Sequence, residues 1–282
     1  WKTKEGLVRM CACRGTAGFA HVSCLAEQAK ILVAEAEENN LSLKVMNERW
    51  SRWTNCSLCE QNYHGVVKCA LGWACWKTYV GRPETDMTRR LAMTQLGNGL
   101  FDAAHYEDTV SVKEAELAME RRLGASVGTI LAVQANLATV YERLGRSKEK
   151  PSLRIRRDVY LGYLKLYGEE HGKTLEAASN YASTLHTLKR HGEAKALLKK
   201  AIPVAQRVLG TSHDFMFRMK GCYAEALFMD AAATRDDLRE AVETYEDTRR
   251  IARRVLGSAH PLAAQIEQSL QDARATLSLR TQ

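Results

Sequence analysis

The chain has 282 residues, 45% of them hydrophobic and 26% charged, which is typical of a folded globular protein long enough for two domains. The net charge of +8 is moderate and spread without a basic tail, so nucleic-acid binding is not expected. No apolar run reaches the roughly 18 residues that a spanning helix needs, and we see no signal peptide, so a membrane span is not expected either.

The first predicted feature is a dense group of metal-ligand residues in MCACRGTAGFAHVSCL, residues 10–25. Together with a later C-x-x-C pair, the candidate ligands are Cys11, Cys13, His21, Cys24, Cys56 and Cys59. A C-x-x-C pair can share one tetrahedral zinc ion, and zinc adds folding free energy that a small module lacks. The alternatives are small buried hydrophobes, or a redox pair at Cys56 and Cys59. Thiols kept for metal indicate a reducing compartment, and we predict a cytoplasmic protein.

The order of these ligands resembles the RING-CH (RING-variant) zinc finger over about residues 9–63. That family has the pattern C-x-x-C, C-x-C, H-x-x-C, C-x-x-C, and the segments CACRGT and HVSCL match its flanking residues. The seven-residue gap between Cys13 and His21 agrees as well. The chain starts at Trp1, and we expect the first C-x-x-C pair of the pattern to lie upstream of it.

The resemblance implies a cross-braced module in which ligand pairs alternate between two zinc ions. Carried over to this chain, it gives one complete zinc site made of Cys11, Cys13, Cys56 and Cys59. His21 and Cys24 would belong to the second site, whose other ligand pair is missing. We therefore expect one zinc ion to be held firmly and a second poorly or not at all.

For function, the resemblance implies a ubiquitin ligase of the scaffold type, which has no catalytic residue of its own. Such a module holds a ubiquitin-conjugating enzyme and its charged ubiquitin in a reactive conformation, and it catalyses by positioning. Leu58 lies between the last two ligands, where the RING family exposes an apolar contact for the conjugating enzyme. The alternative is a non-enzymatic, zinc-stapled scaffold that assembles other proteins, so enzyme activity stays open.

Two amphipathic helices are predicted between Cys24 and Cys56. The segment CLAEQAKILVAEAEENN indicates one helix that ends near Asn39. The segment LSLKVMNERWSRW indicates a second helix, with one apolar face made of Leu43, Met46, Trp50 and Trp53. We expect this face to pack on the finger, and the alternative is an exposed contact for a partner protein.

The composition changes near residue 80. Seven of the eight cysteines and all five tryptophans precede residue 77, and Gly81 and Pro83 mark a join. Beyond this join the chain is rich in Ala, Leu, Glu and Arg, which favours helix. We therefore predict a zinc-binding module over residues 1–80 and a helical domain over residues 87–275.

The helical domain repeats a helix–turn–helix pattern that ends at a glycine. These glycines recur at intervals of 44, 42 and 47 residues and are Gly124, Gly168, Gly210 and Gly257. The units resemble tetratricopeptide repeats of the kinesin-light-chain type, which stack because one helix pair cannot bury its own apolar face. The predicted fold class is mostly α, a small zinc-stapled RING-like module followed by an α-solenoid. The concave groove of such a solenoid suits a protein or peptide target.

Two kinds of polar residue recur within the repeats. His171, His213 and His260 each follow a repeat glycine by three residues, and we expect a loop or capping role for them. Basic residues recur on the second helices, and we expect a solvated convex face there, with a basic stripe for an acidic partner as the alternative. These basic residues are Arg121, Arg122, Arg154, Arg156, Arg157, Lys199, Lys200, Arg249, Arg250, Arg253 and Arg254.

Overall fold

A computed structural model describes residues 5–9, 11–13, 18–145 and 150–280. These residues form twelve α-helices and no β-sheet, only two isolated β-bridges, between Val8 and Ala20 and between Asn55 and Asn62. The prediction of a mostly α fold is therefore confirmed. The Arg-Gly-Thr portion of the CACRGT segment lies outside the described residues.

The helices have the following bounds in chain order. They are α1 Val22–Glu38, α2 Leu43–Trp50, α3 Gly65–Tyr79, α4 Met87–Asp102, α5 Tyr106–Arg122, α6 Val127–Arg143, α7 Lys150–Tyr167, α8 Gly172–Thr187, α9 His191–Leu209, α10 Asp214–Met229, α11 Arg235–Leu256 and α12 Pro261–Leu279. No helix among the described residues is long and apolar enough to cross a membrane.

The chain packs as two compact units, residues 1–144 and 145–282. The first unit holds the cysteine-rich segment and α1–α6, and the second holds α7–α12. The join proposed between residues 80 and 87 lies inside the first unit, where α3 packs directly on α4. A single compact unit can contain two domains of different families. The predicted domains, residues 1–80 and 87–275, therefore stay a prediction.

Two predicted helices of the first unit are confirmed, and one predicted core residue is not. Helix α1 ends at Glu38, and Asn39 is its C-cap, as the sequence indicated. Trp50 and Trp53 are buried, and both rings contact Tyr79 of α3 at centroid distances of 5.6 and 6.0 Å. Leu43 is 74% exposed instead, because it is the first residue of α2 and the helix turns it away from the core.

Helices α3 and α4 approach each other so closely that two helix-interior glycines are required. A Cβ added at Gly72 would lie 2.9 Å from the carbonyl oxygen of Gln95. A Cβ added at Gly99 would lie 2.7 Å from the carbonyl oxygen of Lys68. Glycine disfavours a helix interior by about 1 kcal/mol relative to alanine, and this close backbone packing explains its presence here.

The repeat glycines and histidines of the second unit act together at the helix joins. Gly168, Gly210 and Gly257 have φ values of +83°, +79° and +85°, which only glycine adopts without strain. The histidine three residues later is the N-cap of the next helix, and its Nδ1 accepts a backbone N–H at 3.2 Å. The capping role predicted for these histidines is confirmed, and they are His171, His213 and His260.

Candidate functional site

Four of the six predicted ligands converge in the first unit. The sulfur atoms of Cys11, Cys13, Cys56 and Cys59 all lie within 4.8 Å of one another. The Sγ atoms of Cys13 and Cys56 are 3.7 Å apart. A regular tetrahedron with Zn–S bonds of about 2.3 Å has sulfur atoms about 3.8 Å apart, so the Cys13–Cys56 distance matches it and the cluster is compact enough to hold a metal ion.

The loop that carries Cys56 and Cys59 is held by its own backbone. The N–H of Cys56 donates to the carbonyl of Gln61 at 2.9 Å, and the N–H of Glu60 donates back to Cys56 at 3.0 Å. Glu60 takes a φ of +58°, which closes this tight turn. The N–H of Leu58 points at the Cys56 sulfur, at 3.4 Å. The turn therefore directs the thiols of Cys56 and Cys59 toward the same cluster.

A small apolar cluster supports the four cysteines. Cys56, Tyr63, Val67 and Leu71 are buried, and the partly buried Cys11, Cys13, Cys59, Val8, Val22 and Leu25 pack against them. These residues come from the first segment, the start of α1, the cysteine loop and the first turns of α3. The site thus ties together segments more than forty residues apart, as the 43-residue separation of Cys13 and Cys56 shows.

The thiols of the cluster influence one another's ionisation. The hydrogen bond with Cys59, with burial, raises the pKa of Cys13 to about 12. Burial opposes ionisation of Cys56, but the N–H groups of Cys59 and Leu58 outweigh it and lower that pKa to about 7. The two N–H groups thus favour the thiolate form of Cys56, and a bound cation would favour the thiolate form at every ligand.

The other two predicted ligands lie apart from this cluster. His21 is the N-cap of α1, and its Nδ1 is 3.8 Å from the Sγ of Cys24 one turn later. Among the described residues, only the four-cysteine set brings three or more metal-ligand groups together. His21 and Cys24 are therefore adjacent, as half of a site would be, and no third ligand joins them within the described ranges.

Two exposed apolar side chains lie in and shortly after the cysteine loop. Leu58 is 65% exposed, and Val66 at the start of α3 is 69% exposed. Leu58 also borders a small cleft of about 100 Å³ that reaches Tyr63 and Val67. The side chain that the sequence singled out for a partner contact is thus accessible to a partner.

The second unit carries a groove of about 650 Å³ along one face of its helix stack. Helices α8, α10, α11 and α12 supply its wall, which includes His186, Arg218, Cys222, Glu225, Tyr245 and Gln265. These residues come from successive repeats, so no local motif marks them as a set. The sequence predicted a groove but not the residues that line it.

Several of the recurrent basic residues pair with carboxylates of the same chain. Arg249 and Arg253 both pair with Glu267, at 3.2 and 3.4 Å, and Arg250 pairs with Asp247 at 2.7 Å. Another of the series, Arg156, is buried rather than on the surface. This arrangement favours the solvated mixed-charge face over a basic stripe.

Comparison with known proteins identifies the helical part. Residues 174–214 and 224–262 match the tetratricopeptide repeat family model. A crystal structure of a Podosopora anserina protein assigned as a kinesin light chain with nearly identical TPR-like repeats is 17% identical, with a TM-score of 0.53. It covers 83% of this chain and 97% of its own. BtubC (BKLC) from P. vanneervenii is 13% identical over 92% of this chain and 89% of its own, with a TM-score of 0.53.

At these identities the solved structures establish the fold alone. No curated protein sequence matches the chain. The family matches cover most of α8, all of α9 and α11, part of α10 and the start of α12. They begin at residue 174, far beyond the cysteine segment. Residues 174–214 and 224–262 of the second unit thus match tetratricopeptide repeats, and the unit has the stacked helix pairs of an α-solenoid, a fold that is commonly used for protein–protein interaction.

Proposed function

We propose that this protein is a zinc-binding, RING-CH-type ubiquitin ligase, in which the repeat groove recruits the protein to be modified. The convergence of Cys11, Cys13, Cys56 and Cys59 carries the proposal. The ligand spacing that resembles the RING-CH finger assigns those four residues to one metal, and their sulfur atoms lie within 4.8 Å of one another. If these cysteines were only small buried core residues, there would be no reason for these four sulfur atoms to lie together.

The donor set supports zinc as the metal. Four thiolates in a tetrahedron are typical of structural zinc sites, whereas Mg²⁺ and Ca²⁺ take oxygen ligands. All four positions are filled by protein, which leaves no open position for a substrate. Zinc at this site would hold the fold together, and it would take no part in a reaction.

The surface beside the cysteine loop supports a contact with a conjugating enzyme. Leu58, directly before Cys59 in the sequence, exposes an apolar side chain, and Val66 at the start of α3 exposes another. A conjugating enzyme docked there would be held in one orientation, and its thioester would be restricted to a reactive arrangement. The ligase itself would contribute binding and orientation, and the nucleophile would come from the target.

The groove supports recruitment of a protein or peptide target. Its wall mixes apolar, aromatic and charged groups over about 650 Å³, which suits a peptide or a helix better than a small metabolite. Target and conjugating enzyme would then be bound by different units of one chain.

The discriminating experiment compares two exposed leucines. Leu58→Asp places a charge in the proposed contact, whereas Leu43→Asp does so on α2, where the side chain is 74% exposed. We expect both variants to keep their zinc, measured by mass spectrometry. We expect only Leu58→Asp to slow ubiquitin discharge from a panel of charged conjugating enzymes, by roughly tenfold or more, since a buried unpaired charge is costly.

A non-enzymatic scaffold is the second candidate, and Glu60 favours it. Many active RING domains have a basic residue directly after the last ligand, and this chain has an acidic one, at a φ of +58°. If the full-length protein binds zinc and never accelerates discharge with any enzyme of the panel, the scaffold is the correct function. If Leu43→Asp slows discharge as much as Leu58→Asp, the contact lies elsewhere.

A further inference from the structure

Two histidines meet at the turn between α8 and α9. His186 lies in the last turn of α8 and His191 is the first residue of α9. Their ring centroids are 4.9 Å apart, with the planes inclined by 58°. Lys189, between them, has a φ of +60°, which folds the chain back sharply enough to bring the rings together. His191 is 9% exposed, so one of the two rings is nine-tenths buried.

Neither ring has a full set of hydrogen bonds. The Nδ1 atoms of both His186 and His191 are buried, and neither has a hydrogen-bond partner. The Nε2 of His186 lies 3.5 Å from a carboxylate oxygen of Glu225 on α10. Buried polar atoms without partners are uncommon because each one costs free energy, and they point to a role other than packing.

The charged groups around His191 come from three elements. His186 faces it from α8, Glu225 and Asp230 from α10, and Lys189 from the turn. Burial and the neighbouring His186 lower the pKa of His191 below its ordinary value of 6.5, and the two carboxylates do not offset them. Arg190 and Glu193, which flank the ring in sequence, pair with each other at 2.5 Å.

We propose that this histidine pair makes the groove of the second unit proton-sensitive, so that mildly acidic conditions loosen the α8–α9 turn from α10 and release a bound partner. His186 and Glu225 line the groove directly, and Glu225 is carried by the helix against which the turn packs. The consequence for a partner rests on the proposed recruitment by the groove. The loosening itself is a property of the chain alone.

The direction of the pH effect on the turn follows from comparing how readily His191 binds a proton in the opened and in the closed turn. In an opened turn His191 binds a proton near its ordinary pKa of 6.5, whereas burial lowers its pKa in the closed turn. Stability is therefore fully present above about pH 6.5 and is lost as the pH falls below it. A proton on His191 would place a cation in a buried position, with the His186 ring 4.9 Å away and the nearest carboxylate contact of Glu225 directed at His186.

Hydrogen exchange of the zinc-loaded full chain without a partner tests the proposal. The amides of residues 183–195 report the turn, and those of α4, which contains no histidine, serve as an internal reference. Between about pH 7.5 and pH 5.5, after correction for intrinsic rates, we expect protection of the turn to fall on the order of tenfold while α4 changes little. Equal changes in the two segments would overturn the proposal.

His191→Phe fills the same space without a titratable group, and we expect it to keep its protection at acidic pH. His105→Gln, which removes an exposed histidine in the first unit, should behave like the wild type. The capping histidines are present in all of these proteins, so the difference between His191→Phe and the wild type isolates the pair. If His191→Phe does not fold, His186→Gln replaces it and should reduce the loss, since the neighbouring ring that disfavours a proton on His191 is gone.

Failure of this inference differs from failure of the proposed recruitment. A turn whose protection does not depend on pH removes the switch but leaves recruitment possible. If the turn loosens in acid but the protein binds nothing in its groove, the proposed recruitment is wrong. The effect of pH on the stability of the turn would still stand. Loss of protection in His191→Phe equal to that of the wild type would assign the acid response to the capping histidines.

Discussion

The cysteine site and the repeat groove differ in how many residues form them and in how those residues are distributed along the sequence. The cysteine site consists of four residues that could hold one metal ion, and a tetrahedral site of this kind would lose its closure if any one of them were replaced. The groove depends on residues from several helices, over a core of many Ala, Leu, Phe, Met and Tyr side chains. A site made of a few residues of special type can be recognised in the sequence. For a surface spread over several repeats, the sequence predicts the fold but does not identify the ligand.

Damage to the two regions can be distinguished in one experiment, because different spectroscopic signals report on them. All five tryptophans lie in residues 1–76, so tryptophan fluorescence reports only on the first unit. Circular dichroism measures the helix content of both units together. A change that affects one signal and spares the other therefore locates its effect.

The largest effect is expected from Cys56→Ser. Cys56 is 5% exposed, and its sulfur lies 3.7 Å from that of Cys13, so the change removes a central ligand. Structural zinc contributes on the order of 10 kcal/mol in finger peptides, and its loss should unfold the cysteine segment. We expect loss of bound zinc and a shift in tryptophan fluorescence, while most of the helical signal remains.

Cys24→Ser is the matched control for that change. Cys24 is exposed and lies outside the four-cysteine set. It should leave one zinc ion per chain, measured by elemental analysis, and an unchanged fluorescence spectrum. Loss of that zinc ion in Cys24→Ser would mean that the ligand pairing is wrong.

The next effect concerns the core of the second unit. Leu198 of α9 is fully buried, and Leu198→Ala should lower the free energy of unfolding of that unit by roughly 2–5 kcal/mol. Leu161→Ala on α7, where the side chain is 49% exposed, should change it by about 0.5 kcal/mol or less. Denaturation followed by circular dichroism should shift for Leu198→Ala alone, and the zinc content should stay the same. A fluorescence transition that moves with it would show that the two units unfold together.

The sequence predicted the elements with a clear period or spacing. The ends of α1, the helix–turn–helix repeats and the capping histidines follow from local patterns, because caps and turns use few residue types at fixed positions. Spacing alone marked six candidate ligands, and the RING-CH resemblance implied the grouping of four of them at one ion, since metal sites use few residue types.

What the sequence did not predict depends on distant contacts. An i,i+3 pair such as Lys113 and Glu116 is usually on a surface, yet here both side chains are buried and joined at 2.8 Å. The His186–His191 pair requires a positive φ at Lys189, and lysine gives no sign of it. Leu43 fits the apolar period, but the period cannot show that the helix starts there and leaves it exposed.

A smaller effect is expected where two backbones touch. Gly99→Ala places a Cβ 2.7 Å from the carbonyl oxygen of Lys68, so α3 and α4 must separate, at a cost of roughly 1–3 kcal/mol. Gly81→Ala is the control, because no atom lies within 4 Å of its Cβ position. Denaturation followed by tryptophan fluorescence should show the change, since Trp73 and Trp76 are on α3. Equal midpoints for the two variants would contradict the close approach.

The smallest effect separates capping from ligand binding at the repeat histidines. His260 accepts the N–H of Leu262 at 3.2 Å and also borders the groove, so either role could explain its position. His260→Ala removes the cap and should destabilise the second unit by roughly 0.5–2 kcal/mol, whereas His260→Asn should restore most of that loss because asparagine caps as well. Thermal unfolding followed by circular dichroism measures both. If the two variants lose equal stability, the imidazole contributes more than its hydrogen bond, and the repeat histidines belong to the surface of the groove as well as to the joins between helices.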